Sequence, residues 1–194
     1  LNMFKSNDKA QNFFNIAPGS SSLNPTAFNG PFALAPSQTN TVYAGRDILF
    51  KSTNGGSGWQ IMNNGLPLNG QVINTITVAQ NDPNLVYCST VATDLSGVDL
   101  MKSTNGGQSW QSVFQNLPNR IIMDLAISNT NTDDIYVVLS GYGIDHLYKS
   151  TDGGSTWSAS STGLPDVPHN SVVIDDLNND IIYVGNDLGI FVST

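Results

Sequence analysis

Short apolar or alternating stretches recur along the chain, each bounded by turn residues. They run from Phe32 to Leu34, Val72 to Val78, Ile121 to Ile127 and Val172 to Ile174. An Asn/Asp/Pro-rich turn follows each one, and then a second stretch built on Tyr43, Tyr87, Tyr136 or Tyr183. A loop of variable length leads to a third stretch ending in Lys-Ser, and a short fourth stretch leaves the Trp that comes after it. Period-two alternation and β-branched runs between turn signals predict strands. The chain therefore reads as all-β, with four short antiparallel strands in each unit.

The units repeat. Lys51-Ser52-Thr53-Asn54-Gly55-Gly56-Ser57-Gly58-Trp59 nearly coincides with Lys102-Ser103-Thr104-Asn105-Gly106-Gly107-Gln108-Ser109-Trp110 and with Lys149-Ser150-Thr151-Asp152-Gly153-Gly154-Ser155-Thr156-Trp157. A degenerate copy runs from Phe4 to Phe13, with Ala10 in place of the second Gly and Phe13 in place of Trp, and a fifth begins at Val192-Ser193-Thr194. Successive motif serines are 46, 51, 47 and 43 residues apart, and Leu-Pro turns recur at Leu66-Pro67, Leu117-Pro118 and Leu164-Pro165. Four strands repeating every 40 to 50 residues or so form the blade of a β-propeller. The expected blades are roughly 14–59, 60–110, 111–157 and 158–194, with 1–13 the end of a preceding one. Both ends supply the same third strand, so the expectation is a segment of a larger propeller that continues into further blades or a larger assembly.

Ser-x-Asp/Asn-x-Gly-x-x-Trp makes physical sense as a hairpin between the third and fourth strands. The Asp or Asn is expected to accept from backbone amides one or two residues on, Gly to supply a positive φ, and the Ser hydroxyl to close the loop. Trp then fills the gap between blades, a burial of about 1.5–3 kcal/mol. The structural set is Ser6, Asp8 and Phe13; Ser52, Asn54, Gly56 and Trp59; Ser103, Asn105, Gly107 and Trp110; and Ser150, Asp152, Gly154 and Trp157. Copies at blade spacing mark a folding device rather than a catalytic one.

These motifs resemble the Asp-box, or BNR repeat, of sialidases, xyloglucanase-type glycoside hydrolases, sortilin-type receptors, photosystem assembly factors and secreted bacterial surface proteins. The Lys-Ser-Thr-Asn/Asp-Gly-Gly cores, Leu-Pro turns and Tyr-Val-Gly strand look most like the xyloglucanase-type and secreted bacterial members. The resemblance covers essentially the whole chain and implies the propeller fold. It leaves function open, because the fold hosts unrelated activities.

Composition narrows the function classes. Only 11% of residues are charged, with no Glu, 15 Asp, 5 Lys and 2 Arg, and the net charge is -8. A chain without Glu but with 23 Asn and 18 Gly favours strands and turns over helices. Seven basic residues give no nucleic-acid footprint. The single Cys88, placed inside a Tyr strand, excludes an intrachain disulfide and a cysteine-rich zinc site. No apolar run reaches the roughly 18 residues of a membrane span. No cofactor or metal is implied, since His146 and His169 lack a paired spacing.

Strand phase places the motif hairpins and the Asn/Asp turns on one rim. The clusters Asn81-Asp82-Pro83-Asn84, Asn131-Thr132-Asp133-Asp134 and Asp176-Leu177-Asn178-Asn179-Asp180 there read as solvated turns. The last lacks the Gly and Glu of a calcium loop, with Ile181 at the Gly position. The opposite rim collects the unusual chemistry. Second-to-third-strand loops carry Arg46 and Asp47; Thr93, Asp94 and Asp99; Tyr142, Asp145 and His146; Asn186 and Asp187, while fourth-to-first-strand loops add Arg120, Asp166 and His169. From Tyr to Lys, the second and third such loops take 15 and 13 residue steps against 8 in the first. Long loops on a rigid scaffold are where binding usually resides.

A sialidase site, as the resemblance implies it, needs three Arg and a Tyr nucleophile supported by Glu, and this chain has only Arg46 and Arg120 and no Glu. A xyloglucanase-like site needs two carboxylates about 6.5–9.5 Å apart for inversion. Asp47 and Asp187 are the candidates, although Ile48-Leu49-Phe50 follows Asp47 where those enzymes carry a Gly-Gly turn. Those enzymes draw their two carboxylates from separate propeller domains. The expected function is a non-catalytic propeller, secreted or on the cell surface, that binds a protein or polysaccharide through this rim. The alternative is part of a xyloglucanase-like hydrolase acting on β-glucans.

Overall fold

The computed structural model describes residues 2–19, 30–69, 71–92, 94 and 97–193. Successive strand-forming stretches pair as the pattern predicts. β1 (Phe4–Lys5) and β2 (Phe14–Asn15) form a two-stranded sheet. β3 (Phe32–Ala35), β4 (Gln38–Gly45), β5 (Leu49–Ser52) and β6 (Gln60–Ile61) form a four-stranded one in chain order. β7 (Val72–Val78), β8 (Val86–Val91), β9 (Val98–Ser103) and β10 (Gln111–Ser112) repeat it, as do β11 (Ile122–Ile127), β12 (Ile135–Leu139), β13 (Leu147–Ser150) and β14 (Ser158–Ala159). β15 (His169–Ile174), β16 (Ile182–Asn186) and β17 (Gly189–Val192) close the series. Every pairing is antiparallel, and no α-helix occurs among the described residues. The chain is an all-β propeller array.

The expected repeat limits at Trp59, Trp110 and Trp157 stop short of the sheets. The strand leaving each Trp hydrogen-bonds back to the strand entering the same motif, Lys51 opposite Gln60 and Lys102 opposite Gln111, so each sheet ends two residues beyond its Trp.

The core lies in the seams between sheets. Along β12, Ile135, Val137 and Leu139 join Leu100, Val113 and Leu117 of the preceding sheet, while Tyr136 and Val138 join Val172, Ile182 and Val184 of the following one. β8 divides the same way, Val86 and Cys88 facing back and Tyr87 facing forward. Period two thus becomes two buried faces rather than one wet and one dry, which is why the Tyr strands read as continuous apolar runs.

Each motif closes with its own polar frame. Ser52 Oγ accepts from Gly56 N at 2.8 Å and donates to Asn54 Oδ1 at 2.9 Å; Ser103 and Ser150 do the same with Gly107 and Asn105, and with Gly154 and Asp152. The third-position side chain reaches further than an Asx turn would. Asn54 Oδ1 accepts from Gly58 N at 2.8 Å and Asp152 Oδ1 from Thr156 N at 2.8 Å, each four residues on, because two glycines in positive φ stretch the loop between them. In the degenerate copy, Lys9 and Ala10 adopt those positive φ values of 57° and 69°.

The motifs also lock sheet to sheet. Trp59 Nε1 donates to Ile16 O at 2.7 Å and Trp157 Nε1 to Val113 O at 2.8 Å, both on the preceding sheet. Trp110 turns to its own Gly107 O, at 3.0 Å. The equivalent carbonyl, Met62 O, already receives Gly65 N at 2.9 Å. In the three complete motifs the lysine before the serine lies over the Tyr of its own sheet, 5.2 Å for Lys51 on Tyr43, 5.6 Å for Lys102 on Tyr87 and 5.4 Å for Lys149 on Tyr136. Lys102 Nζ and Tyr87 Oη both donate to Gly153 O of the next motif, at 3.1 and 3.0 Å. Glycine is demanded at position 106 by its φ of 70°; a Cβ there would lie 2.6 Å from Lys51 Nζ, the movable end of a long side chain.

Hydrogen bonds from Thr156, first, and from Ser150 hold the Asp152 carboxyl down at about 2, against an ordinary 3.8. A folded-state pKa below the unfolded one stabilises above pH 3.8, and that contribution is lost as pH falls towards 2. Asp152→Asn can reproduce the Asn105 frame, in which Nδ2 donates to Ser109 Oγ at 2.8 Å. The variant is expected to melt at the parent's temperature at neutral pH. Between pH 3.8 and about 2 it should lose less melting temperature than the parent, as read by circular dichroism.

Candidate functional site

The loop from β12 to β13 is bent by Gly141 and Gly143, with φ of 101° and 75°. It is pinned at its middle and at its C-terminal end. Gly143 N donates to Asp166 Oδ1 at 2.7 Å, and Ser161 Oγ accepts from both His146 N and Leu147 N at 3.0 Å. Tyr142, immediately before the first of these contacts, is 63% exposed. Arg120, itself exposed, packs on the same loop, since a Cβ on Gly141 would lie 3.1 Å from its Nε.

Under the loop two imidazoles stack. His146 and His169 lie 4.8 Å apart between ring centroids, with planes 4° from parallel, and both are buried. Their hydrogen bonds differ. His146 Nε2 meets Asp166 Oδ1 at 2.8 Å, and its Nδ1 faces Leu139 O at 3.4 Å. His169 Nδ1 lies 2.7 Å from Val167 O, and its Nε2 faces the side-chain amide nitrogen of Asn186 at 3.5 Å. The His146 hydrogen bond, with the Gly143 amide, holds the Asp166 carboxyl below the usual range, so it is an ionised acceptor and not a proton donor. Burial, aided by His146, lowers the pKa of His169, against the Val167 hydrogen bond and the charge of Asp187. Asp187 in turn accepts from Asn170 Nδ2 at 2.9 Å.

The structure therefore brings together Arg120, Tyr142, Asp145, His146, Asp166, His169, Asn186 and Asp187 at the seam between the four-stranded β11–β14 sheet and the three-stranded β15–β17 sheet. Two of these were expected as exposed loop groups and are not. His169 opens β15 and His146 immediately precedes β13, and their rings fill the seam. Other rim candidates lie elsewhere. Arg46 is buried, because its short turn docks on β7 through Ile73 N and Arg46 O at 2.6 Å. Asp99 lies within β9, where it accepts from Ser112 Oγ at 2.6 Å, Leu100 N at 2.7 Å and Asn69 Nδ2 at 2.9 Å, a structural tie. Asp94 is exposed on the β8–β9 loop, and Thr93 lies outside the described residues. Asp47 caps its own turn through Ile48 N at 2.9 Å, on the first four-strand unit, whereas Asp187 belongs to the last.

Sequence reading missed Ser161 and Asn170. Aligning the repeats by their Tyr strands would have exposed His169, because it occupies the place of Ile73 and Ile122, each the last residue before the irregularity in the first strand. An imidazole where other units bury isoleucine is a signal in itself.

Chemically, the cluster offers an exposed aromatic ring, carboxylates, amides and one guanidinium. It does not assemble a hydrolase triad: Ser161 Oγ accepts backbone amides of β13 and donates to Leu147 O at 3.2 Å. Among the described residues no group of three or more His, Cys or Asp is placed to hold a metal ion.

No family model matches the chain, and no curated protein matches it. Solved structures do. The GH74 enzyme of Niastella koreensis is 25% identical, over 82% of this chain and 26% of its own, with a TM-score of 0.63. The GH74 xyloglucanase of Xanthomonas campestris is 16% identical, over 100% of this chain and 31% of its own, with a TM-score of 0.65. YCF48 from Cyanidioschyzon merolae is 15% identical, over 98% of this chain and 73% of its own, with a TM-score of 0.51. The chain spans between a quarter and a third of the length of the two GH74 proteins. In fold, then, it is a β-propeller similar to the blades of GH74 enzymes and of YCF48.

Proposed function

We propose that this chain belongs to a secreted or cell-surface protein and binds a polysaccharide across the rim opposite its motif hairpins, without cleaving it. The observation that carries this reading is Tyr142. Its ring is 63% exposed on a loop clamped by Asp166 and Ser161. A pre-set aromatic face beside carboxylates and amides suits a pyranose, which offers a C–H face to the ring and hydroxyls to the polar groups. Asp166 is already ionised and engaged with His146, which supports a holding role over an acid one. Tyr142→Ala is expected to weaken binding of a soluble β-glucan about tenfold in isothermal titration, a loss of about 1.4 kcal/mol. Unchanged affinity would refute the site.

A second reading has one observation in its favour, the 25% identity to a GH74 enzyme. On that reading the parent protein hydrolyses β-glucan, and Asp47→Asn or Asp187→Asn abolishes hydrolysis while binding survives.

A further inference from the structure

His169 stands where sister units bury isoleucine, and its hydrogen-bond partners accept only one protonation state. Its Nδ1–H donates to Val167 O at 2.7 Å. Its Nε2 faces the Asn186 amide nitrogen, so that nitrogen must be the acceptor. Asn186 cannot turn its oxygen inward instead, because Oδ1 accepts Leu188 N at 2.9 Å and Gly189 N at 3.2 Å and so builds the turn from β16 to β17. That turn presents Asp187 on the rim.

The charged groups around the ring are few and come from three sides. His146 stacks on it from the β12–β13 loop, with Asp166 bound to His146 Nε2, and Asp187 acts from the β16–β17 turn. The geometry points to an acid-sensitive switch in which protonation of His169 sets two N–H groups against each other and releases the Asn186–Gly189 turn. The added proton also puts positive charge into a buried stack beside His146. Burial lowers the His169 pKa from 6.5, so the turn is held at neutral pH and let go only as pH falls below that value. In stability terms, the unfolded chain takes up the proton first, so folding free energy is lost as pH drops from 6.5 through the folded value. Resting on the polysaccharide reading, the release removes Asp187 and its Asn170 contact from the rim and weakens binding in acid.

The test is two-dimensional NMR of the chain between about pH 7.5 and about pH 5. The Leu188 and Gly189 amides are expected to shift, and to exchange with solvent about tenfold faster at the acid end, with a midpoint equal to that of the His169 ring. His169→Ile, which restores the residue found at positions 73 and 122, is expected to abolish the response. Amides that stay unmoved in the parent chain, or that respond alike in His169→Ile, would overturn the switch. Should the variant not fold, a turn midpoint that differs from that of the His169 ring in the parent chain overturns it equally. β-Glucan titration at the two pH values separates the readings: a turn that responds without any binding at neutral pH leaves the switch standing and removes the polysaccharide.

Discussion

Trp157→Ala is expected to lower stability by about 3 kcal/mol and the melting temperature by about 10 °C. The indole joins the cluster formed by Leu100, Val113, Leu117, Ile135 and Val137, and its Nε1 satisfies Val113 O across the seam. Removing it opens a gap and leaves a carbonyl of a buried residue without that donor, two costs that add. Trp157 is only half-buried, which keeps the loss at the low end of the range for such truncations. Trp157→Phe should recover more than half of it, since a phenyl ring keeps most of the apolar contact with the cluster and loses only the bond to Val113 O. Trp110→Ala should cost less than Trp157→Ala, because its Nε1 serves its own hairpin. Urea unfolding of the three variants would rank them.

Leu100→Ala should cost slightly more, about 3–4 kcal/mol. Leu100 is wholly buried in the same seam, with neighbours from two consecutive sheets, so the cavity cannot collapse without moving one sheet against the other. Combined with Trp157→Ala, the double variant should lose less than the sum of the two, by about 0.5–1 kcal/mol, since both empty one cluster. Strict additivity would mean that the seam is not a single packed unit.

Much of this architecture was legible in the sequence. The Ser-x-Asp/Asn-x-Gly-x-x-Trp copies marked the hairpins, and the Tyr strands marked the middle of each sheet. Cys88, read as buried, is. The Lys before the serine of each complete motif was visible, but its role was not. Its partners are a ring one strand away and a carbonyl about fifty residues on, and neither distance leaves a local trace. The same holds for the rim. Loop phase brought out Tyr142 and Asp166 as rim residues, whereas the burial of His146 and His169 depends on two units closing over them. The Asx-turn expectation failed for a conformational reason, because paired positive-φ glycines lengthen the reach of Asn54 and Asp152 to the fourth residue on.

We propose that function resides on the rim opposite the motif hairpins, at the seam roofed by the β12–β13 loop. The most direct test is chemical-shift mapping of the labelled chain on titration with a β-glucan oligosaccharide. Saturable shifts are expected at Gly141, Tyr142, Gly143, Asp166, Asn170 and Asp187, with the motif residues Asn54, Asn105 and Asp152 unmoved. Shifts confined to the motif rim, or no saturable shift at all, would contradict it.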